Sequence, residues 1–357
     1  MLLIEDIKVS YREIPLHTPF KTALRTATEI ESITVTIHLA NGVIGKGEAA
    51  PTWVITGDSA QSIQAALEGP IKTALFHQDI RHFQTLLTAI QNSCVGNTSA
   101  KAAADMALYD AYSKWLAIPL YQLLGDHQPI YTSMTVGVDD PAKMADDAKK
   151  WVEAGYSRLK IKVGAKPELD ITRITAIREA IPADVLLRLD ANQGWQPKQA
   201  VQLIQKMEKI GAGIEFIEQP VKAKDLDGLK FVTDHVHTPI MADESVFSPQ
   251  DAFTIVSGHY ADLLNIKLMK CGGIQNALSI ANLAMVHRMP CMIGSMMESS
   301  FSVGAAAHFA AAHPNVIYYD LDAPLWLVEE AEVIDYQGEK LYLSSSAGIG
   351  AVNESEK

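Results

Sequence analysis

From about residue 130 onward the chain carries eight short runs rich in β-branched residues, separated by seven longer segments with helical spacing. The runs are YTSMTVGV (131–138), RLKIKV (158–163), VLLRLD (185–190), IEFIE (214–218), PIMAD (239–243), DLLNIK (262–267), CMIG (291–294) and VIYYD (316–320). Amphipathic segments such as AKMADDAKKWVEAG, ELDITRITAIREAI and IQNALSIANLAMVHR fill the seven gaps. Parallel strands need such crossovers, and eight of them close most naturally into a barrel of the TIM type. An open doubly wound sheet is the rival, but no Gly-x-Gly-x-x-Gly turn opens any unit. No eighth helix of the same pattern follows the last run. The expected fold is therefore α/β, a (β/α)7β TIM-like barrel over residues 129–325.

The N-terminal part has a different texture. LLIEDIKVSYREI and SITVTIHLA alternate with period two, and Asn41-Gly42 is a hairpin turn leading into VIGKGEA. Helical patterns follow at 58–70, 80–93 and 99–116, with Ser99 placed to cap the last. Residues 1–128 are expected to form an α+β capping domain, onto which the return segment 326–357 packs.

Strand ends at the C-terminal rim of such a barrel carry its active site. Here they read Lys160-Ile161-Lys162, Asp190, Glu218, Asp243, Lys267 and Asp320, and from Lys162 to Lys267 the spacings are 28, 28, 25 and 24 residues, about one unit each. A lone Asp after a strand often caps the next helix, and a lone Lys often reaches solvent. Acidic ends on three neighbouring strands, flanked by lysines in the same register, exceed what capping requires. Three converging carboxylates repel unless a cation sits among them. Oxygen donors without histidine or thiolate select a hard divalent ion, so Asp190, Glu218 and Asp243 are the expected ligands of Mg²⁺, with Mn²⁺ as a substitute.

Strands two and six lie across the ring from each other, which sets Lys162 and Lys267 on opposite sides of the mouth as candidate bases. Lys160, on the same strand face as Lys162, is expected to lower its pKa by like charge, and Lys270 to do something similar near Lys267. A proton beside a carboxylate is too weakly acidic for an amine to remove unaided, whereas a cation on that carboxylate stabilises the resulting ene-diolate. Removal from one face and return to the other gives a 1,1-proton transfer, a racemisation or epimerisation. The same lysines also suit a one-base elimination or cycloisomerisation.

Composition excludes other classes. Thirty lysines and arginines against 42 aspartates and glutamates give a net charge of −12, the wrong sign for an unaided binder of nucleic acid or anionic membranes. The three cysteines, Cys94, Cys271 and Cys291, form no CxxC pair, which points to a reducing compartment rather than a disulfide framework. Glu5 and Asp6 interrupt any signal-like start and no apolar run of 18 residues follows, so a cytoplasmic protein with a small-molecule substrate is expected. Homo-oligomerisation is left open, and an inert small-anion binder is the alternative outside enzymes.

The motifs LKIKVG (Lys160, Lys162), LRLDANQGW (Asp190, Asn192), IEQP (Glu218), MADES (Asp243, Glu244) and NIKLMKCGG (Lys267, Lys270) together resemble the enolase superfamily, muconate-lactonizing subgroup. The resemblance covers essentially the whole chain. These motifs are shared with muconate cycloisomerase, o-succinylbenzoate synthase and N-acylamino-acid racemase; Asp320-Leu321-Asp322 narrows the resemblance to dipeptide epimerases, in which such a pair receives the substrate's α-ammonium group. Strand eight lies opposite strand four, so a zwitterion spanning the mouth would meet a cation at one end and carboxylates at the other. The resemblance implies L-Ala-D/L-Glu as substrate and a role in murein peptide recycling. It also implies that TPFKTALRT (18–26) and APTWVITGD (50–58) cover the mouth, with Arg25 pairing with the glutamate side chain. Thr135 and Ser295-Met296-Met297-Glu298 are lining residues by position. Asn192, Glu244 and Lys270 are expected to support the ligands and bases. His235 and His237, before a strand start, read as surface residues.

Overall fold

The computed structural model describes residues 1–22, 26–328 and 333–350. The chain opens with an antiparallel sheet of β1 (Ile4–Lys21), β2 (Thr26–Leu39) and β3 (Ile44–Ala49), in that order. Strand β1 extends past the period-two stretch, so Thr18–Lys21 of the expected covering loop is strand. Pro15 and Pro19 are tolerated because β1 is an edge. The helical part contains α1 (Ala60–Ala66), α2 (Lys72–Leu75), α3 (Phe83–Asn92), α4 (Thr98–Trp115) and α5 (Leu120–Leu124). Pro70 interrupts the pattern read at 58–70, and a π turn over Leu67–Ile71 joins α1 to α2. Ser99 is not the cap of α4. The helix begins at Thr98, and the Asp58 carboxylate accepts the Ser99 N–H at 3.0 Å. Strand β3 lies directly on α4: a Cβ on Gly47 would stand 1.9 Å from the Ala103 carbonyl oxygen.

The expected first barrel run divides in two. β4 (Ile130–Tyr131) pairs with the later strand Lys340–Leu343, whereas β5 (Met134–Val136) enters the barrel. The parallel ladder continues through β6 (Arg158–Lys162), β7 (Leu186–Asp190), β8 (Ile214–Glu218), β9 (Ile240–Ala242), β10 (Leu263–Ile266), β11 (Cys291–Gly294) and β12 (Val316–Asp320), hydrogen-bonded in sequence order. Between the strands run α6 (Pro141–Glu153), α7 (Pro167–Ala180), α8 (Pro197–Lys209), α9 (Leu226–His235), α10 (Pro249–Gly258), the short α11 (Leu268–Cys271) with α12 (Ile274–Val286), and α13 (Ser300–Ala312). The seam between β5 and β12 is joined by the Ser133 N–H on the Tyr319 carbonyl (3.3 Å) and the Leu321 N–H on Thr132 Oγ1 (2.8 Å). The fold is a nearly closed (β/α)7β barrel with an N-terminal α+β cap.

After β12 the chain makes a 3₁₀ turn (Ala323–Trp326), then β13 (Ile334–Gln337) and β14 (Lys340–Leu343). This hairpin joins β4 rather than the cap sheet, but the return segment meets the cap at both ends: Leu327 bridges Leu16 and the Val328 N–H donates to the Pro15 carbonyl of β1 at 3.0 Å, and Asp110 of α4 accepts the Ile349 N–H at 2.8 Å. Cap and barrel are also joined through Asp105 of α4, which accepts the Ile274 N–H at the start of α12 (2.6 Å). Alternation along the strands divides the barrel interior into layers. Phe216, Met241, Leu263 and Met292, with Tyr318 against them, form an apolar floor. Further along the strands, Lys162, Asp190 and Glu218 stand side by side in register on β6, β7 and β8.

Candidate active site

The rim is dominated by buried charge. Six carboxylates, Asp190, Glu218, Asp243, Glu244, Asp320 and Asp322, face four ammonium groups, Lys160, Lys162, Lys267 and Lys270, and all ten residues are at most 6% exposed. Lys162 Nζ lies 2.6 Å from Asp190 Oδ2, and Lys267 Nζ lies 2.7 Å from Asp243 Oδ2. Lys270 Nζ reaches Asp243 Oδ1 at 2.5 Å and the Asn265 carbonyl at 3.0 Å. Lys160 occupies the centre, 2.6 Å from Asp320, 2.8 Å from Glu218 and 3.1 Å from Asp190. This differs from the expectation that Lys160 serves Lys162 as a like charge. Burial disfavours its charged form, but Asp320, Glu218 and Asp190 outweigh burial and hold its pKa well above the ordinary lysine value.

The excess of carboxylates over lysines is visible in their ionisation. Burial raises Asp190 and Asp243, yet their lysines pull both below the usual carboxylate range. Glu218 and Glu244 go the other way, raised by burial and by the charge of neighbouring aspartates. Glu218 Oε2 accepts no well-formed hydrogen bond despite its proximity to Lys160, and Glu244 Oε2 and Asn192 Oδ1 are equally orphaned. Buried oxygens without donors are costly and suit a cation. Among the described residues no three acidic, histidine or cysteine side chains are already gathered as a metal site; the lysines partition the carboxylates instead. Donor chemistry, adjacency on β7, β8 and the end of β9, and orphaned oxygens nevertheless fit a hard divalent ion at Asp190, Glu218 and Asp243.

One cavity opens above this layer. Thr135, Lys160, Lys162, Asn192, Lys267, Met297, Asp320 and Asp322 line it, together with Met296 and, from the cap, Phe20, Thr22, Thr52, Val54 and Ile55. Both cap segments singled out from the sequence thus contribute to the wall. Arg25 lies outside the described residues. Glu298 was expected on the lining but is turned away: its carboxylate accepts the Met296 N–H at 2.7 Å and the Ser302 hydroxyl, bracing the start of α13. Asp320 is engaged by Lys160, with Ser133 Oγ at 3.3 Å. Asp322 does not cap the following turn with its side chain; it accepts the Thr135 N–H (2.8 Å) across the seam and the Trp326 indole N–H (3.2 Å). His235 and His237 are exposed on the opposite side of the barrel, as read from the sequence.

Residues 4–125 match the family model described as mandelate racemase / muconate lactonizing enzyme, N-terminal domain, and residues 143–355 match the one described as enolase C-terminal domain-like. The chain belongs to the mandelate racemase / muconate lactonizing enzyme family of the enolase superfamily. It is 46% identical over 353 residues to the L-Ala-D/L-Glu epimerase of Clostridium acetobutylicum, covering 98% of each chain. It is 41% identical over 355 residues to the hydrophobic dipeptide epimerase of Enterococcus faecalis, covering 97% of this chain and 99% of that one. Among solved structures, a substrate-liganded complex of the L-Ala-D/L-Glu epimerase from Bacillus subtilis superposes with a TM-score of 0.97 at 47% identity, over 98% of this chain and 99% of that one.

Within this enolase-superfamily site, three supporting residues escaped the sequence reading. Asn265, two positions before Lys267 and so on the same strand face, donates to Glu218 Oε1 at 2.9 Å. Gln219 follows Glu218 at a positive φ of 36° and is fully buried. Its amide oxygen accepts the N–H groups of Asp243 (2.8 Å) and Ser245 (3.2 Å), fastening the end of β8 to the end of β9. The third is Gly294, at the inner face of β11. A Cβ there would lie 2.9 Å from Asn265 Oδ1 and 3.1 Å from Lys267 Cε, so its missing side chain leaves room for the end of the Lys267 side chain. Gly294→Ala is expected to cut turnover roughly 10- to 100-fold by displacing Lys267; steady-state kinetics at unchanged thermal stability checks this.

Proposed function

We propose that this protein is a Mg²⁺-dependent dipeptide epimerase that inverts the Cα of the C-terminal residue of L-Ala-D/L-Glu by two-base proton transfer. The observation that carries the reading is the cavity itself, where Lys162 and Lys267 share a wall with Asp322. Its lysines suit a carbon acid flanked by a carboxylate, and Asp322 suits an ammonium group. The relatives named as L-Ala-D/L-Glu epimerases support the substrate, and the dipeptide epimerase of Enterococcus faecalis solved with Mg and L-Leu-L-Tyr, 40% identical, supports the metal.

In this mechanism one lysine, as the neutral amine, takes the Cα proton from one face, and the other, as ammonium, delivers a proton to the opposite face. Lys160, held positive by its three carboxylates, fixes charge at the centre of the rim. The substrate carboxylate lies toward Asp190, Glu218 and Asp243, and its ammonium group lies toward Asp322. Asn192 and Glu244 brace the ligand loops through their mutual hydrogen bond (3.3 Å). When bound at Asp190, Glu218 and Asp243, Mg²⁺ supplies the positive charge that stabilises the ene-diolate. Phe20, Thr22, Val54 and Ile55 exclude water from above.

Arg25 pairs with the glutamate side chain in this reading, so Arg25→Met should shift preference from L-Ala-L-Glu toward L-Ala dipeptides with apolar second residues; a dipeptide library followed by mass spectrometry in D₂O tests it. Such a substrate fits a cytoplasmic role in murein peptide recycling. Chelation with EDTA is expected to abolish epimerisation of L-Ala-L-Glu and added Mg²⁺ to restore it, with Mn²⁺ as the substitute; full activity after chelation would contradict the metal's role.

A further inference from the structure

One buried carboxylate behind the mouth holds together the loop that follows Lys162 at the end of β6 and the loop that follows Asp190 at the end of β7, which contains Asn192. Asp170, in the first turn of α7 and fully buried, accepts the Gly164 N–H at 3.0 Å and the Trp195 indole N–H at 2.9 Å on one oxygen. Its other oxygen accepts Arg173 Nη1 at 2.9 Å. Arg173, also buried, donates further to the carbonyls of Asp139 (2.9 Å) and Lys166 (3.3 Å). Gly164 stands two residues beyond Lys162, and Trp195 three beyond Asn192.

The two loops interlock at glycines. A Cβ on Gly164, whose φ is +89°, would stand 2.5 Å from the Ala191 carbonyl oxygen, and one on Gly194 would stand 2.7 Å from Gly164 Cα. The strand ends are joined by the Val163 N–H on the Asp190 carbonyl at 2.9 Å, and beyond that bond the loops need a second bridge to fix their register. Asp170 is that bridge, accepting one donor from each loop on the same atom. A fully buried ion pair is weak evidence for stability, because desolvation offsets its attraction; holding one arrangement is its better-attested use. Among the described residues, none of the hydrogen bonds of Asp170 reaches β9 or β10, so Lys267 and Asp243 are not held by it directly, whereas the loop directly after Lys162 is.

We propose that Asp170 is a positioning residue that sets Lys162 against Asp190, so that proton transfer on the Lys162 side of the substrate carbon depends on it more than transfer on the Lys267 side. The inference rests on the two-base reading above. It predicts an asymmetry that general destabilisation does not produce. Epimerisation rates in the two directions cannot reveal it, since their ratio is fixed by the overall equilibrium. Exchange of the Cα hydrogen can, because each lysine starts the reaction from one epimer.

The test is deuterium incorporation from D₂O, with Mg²⁺, into L-Ala-L-Glu and separately into L-Ala-D-Glu, resolving retained from inverted product. For Asp170→Asn, exchange should fall roughly 10- to 100-fold from the epimer that Lys162 deprotonates. Exchange with retention from the other epimer should fall distinctly less, the loss common to both epimers being the part that passes through Asp190. Trp195→Phe, which removes a single donor, should move the same ratio in the same direction and serves if Asp170→Asn does not fold. Equal losses from both epimers, or no loss, would overturn the positioning role while leaving the two-base reading intact. No exchange by the unsubstituted protein would overturn that reading, and this inference with it.

Discussion

Lys162→Ala and Lys267→Ala are each expected to lose epimerisation of L-Ala-L-Glu by roughly 10²- to 10⁴-fold, the usual contribution of a positioned acid or base. The two losses should not be alike in detail. With Lys162 removed, Lys267 can still take a proton from its own face and return one there, so one epimer continues to exchange its Cα hydrogen without inverting. Lys267→Ala should show the complementary pattern. A one-base elimination or cycloisomerisation would instead leave one of the two lysines merely cationic, so exchange would come from a single epimer and removing the cationic lysine would not change which epimer exchanges. Mass spectrometry of each isolated epimer in D₂O separates these outcomes. Both side chains are buried and paired with a carboxylate, at 2.6 Å and 2.7 Å. Thermal denaturation should accompany the kinetics, because truncating one partner leaves Asp190 or Asp243 unpaired.

The second large effect concerns the other end of the cavity. Asp322→Asn should lower kcat/KM for dipeptides by roughly 10²- to 10³-fold, since an incoming ammonium group would lose its buried partner. An asparagine oxygen can still accept the Thr135 N–H across the seam, now made at 2.8 Å, so the barrel should remain closed. Burial and the adjacent Asp320 charge raise the Asp322 pKa, and a substrate ammonium would relieve that tension. N-acylated amino acids carry no such group, and their turnover should not fall in this variant. Dipeptide turnover retained at full rate would favour the N-acylamino-acid racemase reading. Asp320→Asn should behave differently, disturbing Lys160 as well as any ligand, because Asp320 is that lysine's 2.6 Å partner.

Much of this was legible in the sequence because the barrel writes its plan with two periods. Alternation along a strand assigns Lys160, Lys162, Asp190, Glu218, Lys267 and Asp320 to the inner face, and the unit repeat assigns most of them to one rim. Both rules depend on backbone geometry alone, so they survive without knowledge of packing. Glu298 followed neither rule, lying in a loop after β11, and its orientation was decided by the N–H of Met296 and the hydroxyl of Ser302. Lys160 was placed on the inner face, but its three carboxylate partners were not foreseen, since adjacency within a strand says nothing about which carboxylates converge from β7, β8 and β12. Gly294 gave no signal, because what matters there is an atom that is absent. Ser99 was misread as a cap because the true acceptor for its N–H, Asp58, is 41 residues away in sequence.

The central claim, that two lysines facing one carbon exchange its hydrogen between opposite faces, is tested most directly by following L-Ala-L-Glu with the unsubstituted, Mg²⁺-loaded protein in D₂O. The account predicts one deuterium at the Cα of the glutamate residue, in both the retained and the inverted epimer, and none at the Cα of alanine. Binding of the dipeptide with no deuterium incorporated, or incorporation that persists from both epimers after Lys162→Ala, would contradict it.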